Sequence, residues 1–218
     1  MSQSAPHKIE NSRNPIAFFD FDGTLTTGDT LMPFLEFVVG KPRYYWHLLL
    51  VSPVLVGYLF KLIRNDVAKE AVLKRYLSRY QIEEVFALGE TFSNEILPTM
   101  LRSAGIARLK WHQEQGHDCV LVSASLDVYL RSWAMSMGFD DLICTKLEVS
   151  STGMVSGKIE GNNCYGIEKV KNIKNLNFML NQRTVYAYGD TKGDYPMLKI
   201  ADYGYMLNKK CFVLIKGL

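Results

Sequence analysis

Short apolar runs and longer periodic stretches take turns along this chain. Residues 16–19, Ile-Ala-Phe-Phe behind Pro15, are compact and bulky, as a buried strand is. Residues 21–24, Phe-Asp-Gly-Thr, follow as a turn in which Gly23 is free to take a backbone conformation closed to other residues. From residue 29 to about residue 97 the rhythm is helical throughout. Asp29 or Thr30 is placed to cap a first helix that stops near Gly40 and Pro42. A long apolar stretch covers residues 44–63, and residues 66–80 and 81–97 predict two amphipathic helices, the second ending before Pro98.

Beyond Pro98 helices and strands alternate. Helices are predicted over 100–115, 126–137 and 167–180, with a helical turn over 195–200. Strands are predicted over 119–122, 142–144, 184–188, 203–207 and 212–215, and residues 146–159, with Gly153 and Gly157, predict a small hairpin. This order predicts an α/β fold: a Rossmann-like, mainly parallel sheet flanked by helices, with an inserted all-helical cap. Residues 15–28 and 99–218 form the expected core and 29–98 the cap. Residues 1–14 are polar and predict a frayed, disordered tail without the apolar stretch of a signal peptide.

Composition narrows the partners. The 218 residues are 48% hydrophobic and 22% charged, as in a soluble globular protein with one sizeable core. A formal net charge of +3, with Lys and Arg scattered, gives no basis for nucleic-acid binding. The four cysteines, Cys119, Cys144, Cys164 and Cys211, form no CxxC pair, which argues against zinc and a disulfide framework and for a reducing, cytoplasmic setting. His7, His47, His112 and His117 show no metal-ligand spacing.

One stretch changes the picture. Residues 44–60 contain no Asp, Glu, Lys or Arg, with Lys41, Arg43, Lys61 and Arg64 at the flanks. At roughly 17 residues it is near the lower limit of a membrane span, yet a span would strand the first β-strand away from its sheet, with no second span to return the chain. Two readings stay open. One is a pair of cap helices broken at Pro53 and packed on each other in a buried cap core. The other is peripheral contact of the cap with a membrane, at its inner face.

The candidate chemistry sits where strands end. Asp20 and Asp22 follow the first strand; Gly189, Asp190 and Asp194 follow a later one; Ser123, Ala124 and Ser125 follow another. Ligands of open α/β sheets bind outside the carboxyl ends of the strands, so these groups are expected to converge. Carboxylates gathered in one cleft repel unless a cation lies between them, and oxygen-only ligands favour magnesium. A carboxylate pair two residues apart suits a division of labour, one attacking and one moving protons.

The segment Phe18-Phe19-Asp20-Phe21-Asp22-Gly23-Thr24-Leu25-Thr26 resembles the first motif of the haloacid dehalogenase superfamily of phosphohydrolases. Ser123 resembles its second motif, Lys169 in Gly166-Ile167-Glu168-Lys169-Val170 its third, and the segment from Gly189 to Leu198 its fourth. The four occur in family order over nearly the whole chain. The resemblance implies an aspartyl-phosphate mechanism with Asp20 as nucleophile and Asp22 as general acid/base. It implies Mg2+ held by Asp20, the Asp22 carbonyl, Asp190 and Asp194. Gly23, Thr24, Ser123, Ala124 and Lys169 would contact the phosphoryl group, Lys171 being the rival of Lys169. The insertion point resembles the subfamily with a helical-bundle cap, which includes phosphoserine phosphatases. Those usually carry Ser at the position of Gly23, Ser-Gly-Gly at 123–125 and a substrate-binding Glu where this chain has Gly28-Asp29-Thr30. The departures bear on specificity. The implied substrate is a phosphorylated small molecule of phosphoserine-like kind. A lipid phosphate such as phosphatidylglycerophosphate is the alternative, and a phosphotransferase or a non-catalytic phosphate-binding protein stands behind both.

Overall fold

The computed structural model describes residues 13–176 and 178–217. Most of the expected tail lies outside the described residues, although Asn14 is tied down by the Arg183 Nε, which donates to its carbonyl at 2.5 Å. The sheet has seven strands in the order β4-β3-β2-β1-β5-β6-β7. They are β1 (Ile16–Phe19), β2 (Asp118–Leu126), β3 (Asp141–Val149), β4 (Val155–Glu160), β5 (Val185–Gly189), β6 (Tyr203–Asn208) and β7 (Cys211–Lys216). The five strands from β3 to β6 in this order run parallel, and the two edge strands β4 and β7 are antiparallel to their neighbours.

Strand β1 is buried along its whole length because both faces are covered. Side chains alternate across a strand. Ala17 and Phe19 therefore join the core under α6 (Ser103–Glu114) and α7 (Asp127–Ser136), while Ile16 and Phe18 join the core under α8 (Ile167–Asn175) and α9 (Tyr195–Ile200).

The insert between β1 and β2 is helical: α1 (Leu31–Val39), α2 (Lys41–Leu59), α3 (Asn65–Leu77) and α4 (Ile82–Glu95), followed by the single turn α5 (Leu97–Met100). It shares the core's apolar interior, for Phe34, Leu35, Val72 and Leu73 of the insert lie in one buried cluster with Phe21, Leu121 and Tyr129.

Five expectations need correction. Residues 41–59 form one helix with Pro53 inside it, not two helices broken there. Proline removes the N–H that would reach the Leu49 carbonyl; the Ser52 hydroxyl donates to that carbonyl instead, at 2.8 Å. The helix is also no buried cap core: Val51 is its buried residue, and Tyr45, Trp46, Leu49 and Leu50 are exposed. The helix expected over 100–115 breaks at Leu101 and Arg102, because Leu101 bridges to Thr26 and the Arg102 N–H donates to the Leu25 carbonyl. The helix expected over 167–180 ends at Asn175, where Leu176 turns extended and Phe178 enters the core beside Phe18. The expected strand at 142–144 and the first arm of the hairpin are one strand, β3. It pairs parallel with β2 up to Thr145 and antiparallel with β4 from Lys146 onward.

Candidate active site

Asp20 is the first residue beyond β1 and Asp190 the first beyond β5, and these strands are neighbours. The Asp20 N–H still donates to the Tyr188 carbonyl, at 3.0 Å. The chain builds outward from β1 to β3, then returns to β5 on the other side, so the two carboxylates emerge where the strand order reverses. Asp194 is brought back to them by a tight turn, in which its carboxylate accepts from the Thr191 N–H and Thr191 hydroxyl, both at 3.0 Å. Oxygens of Asp20, Asp190 and Asp194 all lie within 4.8 Å of one another.

Two glycines make this approach fit. A Cβ on Gly189 would stand 2.4 Å from Asp194 Cβ. A Cβ on Gly23 would stand 2.0 Å from Asp190 Oδ2.

Lys169, from α8, is the cation of the site. It is 1% exposed, and its Nζ donates to Asp20 Oδ1 at 2.5 Å and to Asp194 Oδ1 at 2.7 Å. Burial alone would lower its pKa, but Asp20 and Asp194 outweigh burial and hold the ammonium above its ordinary value. Lys171 turns to solvent and pairs with Glu168 at 2.5 Å. For the acids burial dominates: it drives Asp20 up to about 7 against the pull of Lys169, and Asp190 up to about 6 with help from Asp194. Three crowded carboxylates offering only oxygen, two of them, Asp20 and Asp190, raised in pKa, fit a hard divalent cation such as magnesium.

Asp22 faces another way. Its Oδ1 accepts from the Thr30 N–H at 2.9 Å and the Thr30 hydroxyl at 2.7 Å, and its Oδ2 accepts from the Ser125 hydroxyl. Burial and the nearby Asp29 raise its pKa. Its carboxylate is outside the cluster formed by Asp20, Asp190 and Asp194. Thr24 is buried and its hydroxyl donates to Asp20 Oδ2 at 2.8 Å, orienting the carboxylate. Ser123 is buried at the carboxyl end of β2, its Oγ accepting from the Ser125 N–H at 2.9 Å. The Ala124 carbonyl accepts from Lys69 of α3.

Sequence reasoning missed Lys69 and Arg102, and it named Thr30 and Ser125 without their contacts to Asp22. Arg102 Nε reaches the carbonyls of Gly23 at 3.0 Å and Thr26 at 3.2 Å, pinning the loop that carries the two aspartates. Lys69, on α3 of the insert, also donates to Asn163 Oδ1 at 3.1 Å. Burial lowers its pKa to about 8, against the pull of Asp22 and Asp29. It helps to line a cavity of about 320 Å³ between insert and core, with Asp22, Asp29, Leu55, Tyr58 and Tyr165.

A parallel sheet with carboxylates and a buried lysine at its carboxyl edge, roofed by a helical insert, defines an α/β enzyme of hydrolase type. Residues 17–199 match the haloacid dehalogenase-like hydrolase family, and the chain belongs to it. It is 34% identical over 203 residues to Protein CicA of Caulobacter vibrioides, covering 93% of this chain and 90% of CicA. It is 23% identical to phosphoserine phosphatase SerB1 of Mycobacterium tuberculosis, over 88% of this chain and 64% of that protein. A solved protein of unknown function from Bordetella pertussis Tohama I shares the fold with a TM-score of 0.76 at 23% identity, covering 89% of each chain.

Proposed function

We propose that this chain is a magnesium-dependent phosphomonoesterase working through a phosphoryl group carried on Asp20. The observation that carries the reading is the convergence of Asp20, Asp190, Asp194 and Lys169 at the carboxyl edge of the sheet. A carboxylate oxygen of Asp20 attacks phosphorus as the ester P–O bond breaks. The leaving oxygen takes a proton from Asp22, whose raised pKa suits a general acid. The Asp22 carboxylate then takes a proton from water as that water attacks phosphorus, freeing phosphate and Asp20. Lys169 and Ser123 hold the phosphoryl oxygens. Asp20, Asp190, Asp194 and the Asp22 carbonyl would hold magnesium, which supplies charge neutralisation on the transferring group.

The cavity around Lys69 supports a small organic phosphate as substrate. Lys69 and Asp29 offer a cation and an anion to a leaving group that carries both charges, as a phosphorylated amino-acid-like metabolite does. A lipid phosphate is the second reading. It is favoured by α2, which contributes Leu55 and Tyr58 to the cavity while exposing other apolar residues outward.

Purified protein is expected to hydrolyse p-nitrophenyl phosphate with magnesium and to stop on adding EDTA. Asp20→Asn is expected to lose about 10³-fold or more in kcat; full turnover by that variant would remove Asp20 as the nucleophile. A panel of amino-acid phosphates, other metabolite phosphates and phosphatidylglycerophosphate separates the two substrate readings.

A further inference from the structure

Beyond Arg43, helix α2 carries no charged side chain and is apolar around most of its circumference, and such a helix belongs in a buried setting. Its inward stripe, Tyr44, Leu48, Val51 and Leu55, packs on the apolar core. Its outward stripe runs through Tyr45, Trp46, Leu49, Pro53, Val56 and Phe60 at helical spacing, and it faces solvent. Leu49 is 64% exposed, and Leu59 at the helix end with Phe60 and Leu62 in the turn that follows are 75%, 74% and 82% exposed. That turn is built to present them. Lys61 takes φ 60°, and the Leu62 N–H closes back on the Gly57 carbonyl at 2.8 Å.

An exposed apolar surface of this continuity marks a site of contact. Its rim says with what. Residues 37–65 contain no Asp or Glu, while Lys41 and Arg43 stand at one end of the apolar stripe and Lys61 and Arg64 at the other, all four exposed. Arg64 pairs with Asp66 at 2.6 Å, just beyond the acid-free stretch. Aromatic rings, Tyr45 and Trp46 near the start and Tyr58 and Phe60 near the end, sit beside the cations. Apolar side chains, interfacial aromatics and a cationic rim are the complement of an anionic lipid surface. None of the described helices is long and apolar enough to cross a membrane, so the helix would lie along it.

We infer that the outward face of α2, with the turn after it, docks this enzyme onto anionic lipid bilayers. The inference does not depend on the reaction, because docking needs no turnover. Leu55 and Tyr58, which line the cavity beside Asp22 and Lys69, belong to this same helix, so a docked molecule would hold its cavity wall close to the bilayer.

Flotation with vesicles of phosphatidylcholine mixed with phosphatidylglycerol, against phosphatidylcholine alone, tests it. The native chain is expected to float with the mixed vesicles at least about tenfold better than with the neutral ones. Leu49→Glu with Phe60→Glu is expected to abolish flotation while p-nitrophenyl phosphate hydrolysis and Tm stay unchanged. Those two readouts show that the variant is folded, and neither residue touches the reacting groups. Absence of flotation with either vesicle would overturn the inference, as would equal flotation with both, or a double variant that floats like the native chain. A native dimer that the same substitutions dissociate, with no flotation, would assign the face to a second copy instead.

Discussion

At Gly23 a hydrogen atom stands where any other residue would put a methyl group into Asp190. The position has φ 79°, and an added Cβ would fall 2.0 Å from Asp190 Oδ2. Gly23→Ala should therefore push Asp190 out of the carboxylate cluster as well as strain the loop, at about 1 kcal/mol for the backbone alone. The expected result is weaker magnesium binding by calorimetry, by about tenfold or more, with kcat falling in step. Unchanged magnesium affinity would mean that Asp190 is not a ligand. Arg102→Met makes a milder test of the same loop. It leaves the carbonyls of Gly23 and Thr26 without their shared donor. We expect a loss of about 1–3 kcal/mol in urea unfolding and reduced kcat. The acid residues of the site were legible in the sequence because strand ends and acidic spacing are local signals. The contacts made by Thr30, Ser125 and Arg102 were not, since each meets its partner only through the fold. The pair Lys169 and Lys171 stayed open for the same reason: two positions along a helix turn one lysine to Asp20 and the other to Glu168.

Among the elements, α4 and α7 approach so closely that Gly89 has no room for a side chain. A Cβ there would lie 2.0 Å from the Val128 carbonyl oxygen, a backbone atom with nowhere to go. Gly89→Ala is expected to part insert from core at this contact, costing about 1–3 kcal/mol in urea unfolding. In α2 the opposite change is expected to help. Pro53 is exposed inside the helix and removes a donor that Ser52 replaces. Pro53→Ala should restore the backbone bond to Leu49 and raise stability by about 1–3 kcal/mol. Element type was readable for nearly every segment from hydrophobic period alone. What period could not give was continuity. Proline is a breaker by local rule, yet α2 runs through it because a neighbouring serine takes over the vacated carbonyl. Likewise β3 looked like two pieces because its first half pairs parallel in the main sheet and its second half antiparallel in a hairpin.

For the molecule as a whole, the acid pair at the sheet edge ties stability to pH and to metal. The helical insert was legible as a separate stretch of sequence, but Phe34, Leu73 and Leu77 share one apolar interior with Phe19 and Leu121, which no local pattern announces. Perturbing the site should therefore register in the unfolding of the entire chain. Burial lifts Asp20 to about 7 and Asp190 to about 6, from an ordinary value of 3.8. A folded-state pKa above the unfolded one means that the folded protein binds protons more tightly. The stability from these groups is fully present below the unfolded value, and it is lost as pH rises through about 6 to 7. Magnesium reverses the preference, because it binds the ionised carboxylates and displaces their protons. The gain in Tm on adding magnesium should therefore be larger at about pH 8 than at about pH 5.5. Calorimetric titration near pH 6.5, in two buffers of different ionisation enthalpy, should show net proton release. Asp20→Asn supplies the control: with one of the two titrating groups gone, both the pH dependence of the magnesium effect and the proton release should shrink. A magnesium-induced Tm gain that is the same at both pH values, with no proton release, would show that the metal does not meet these carboxylates.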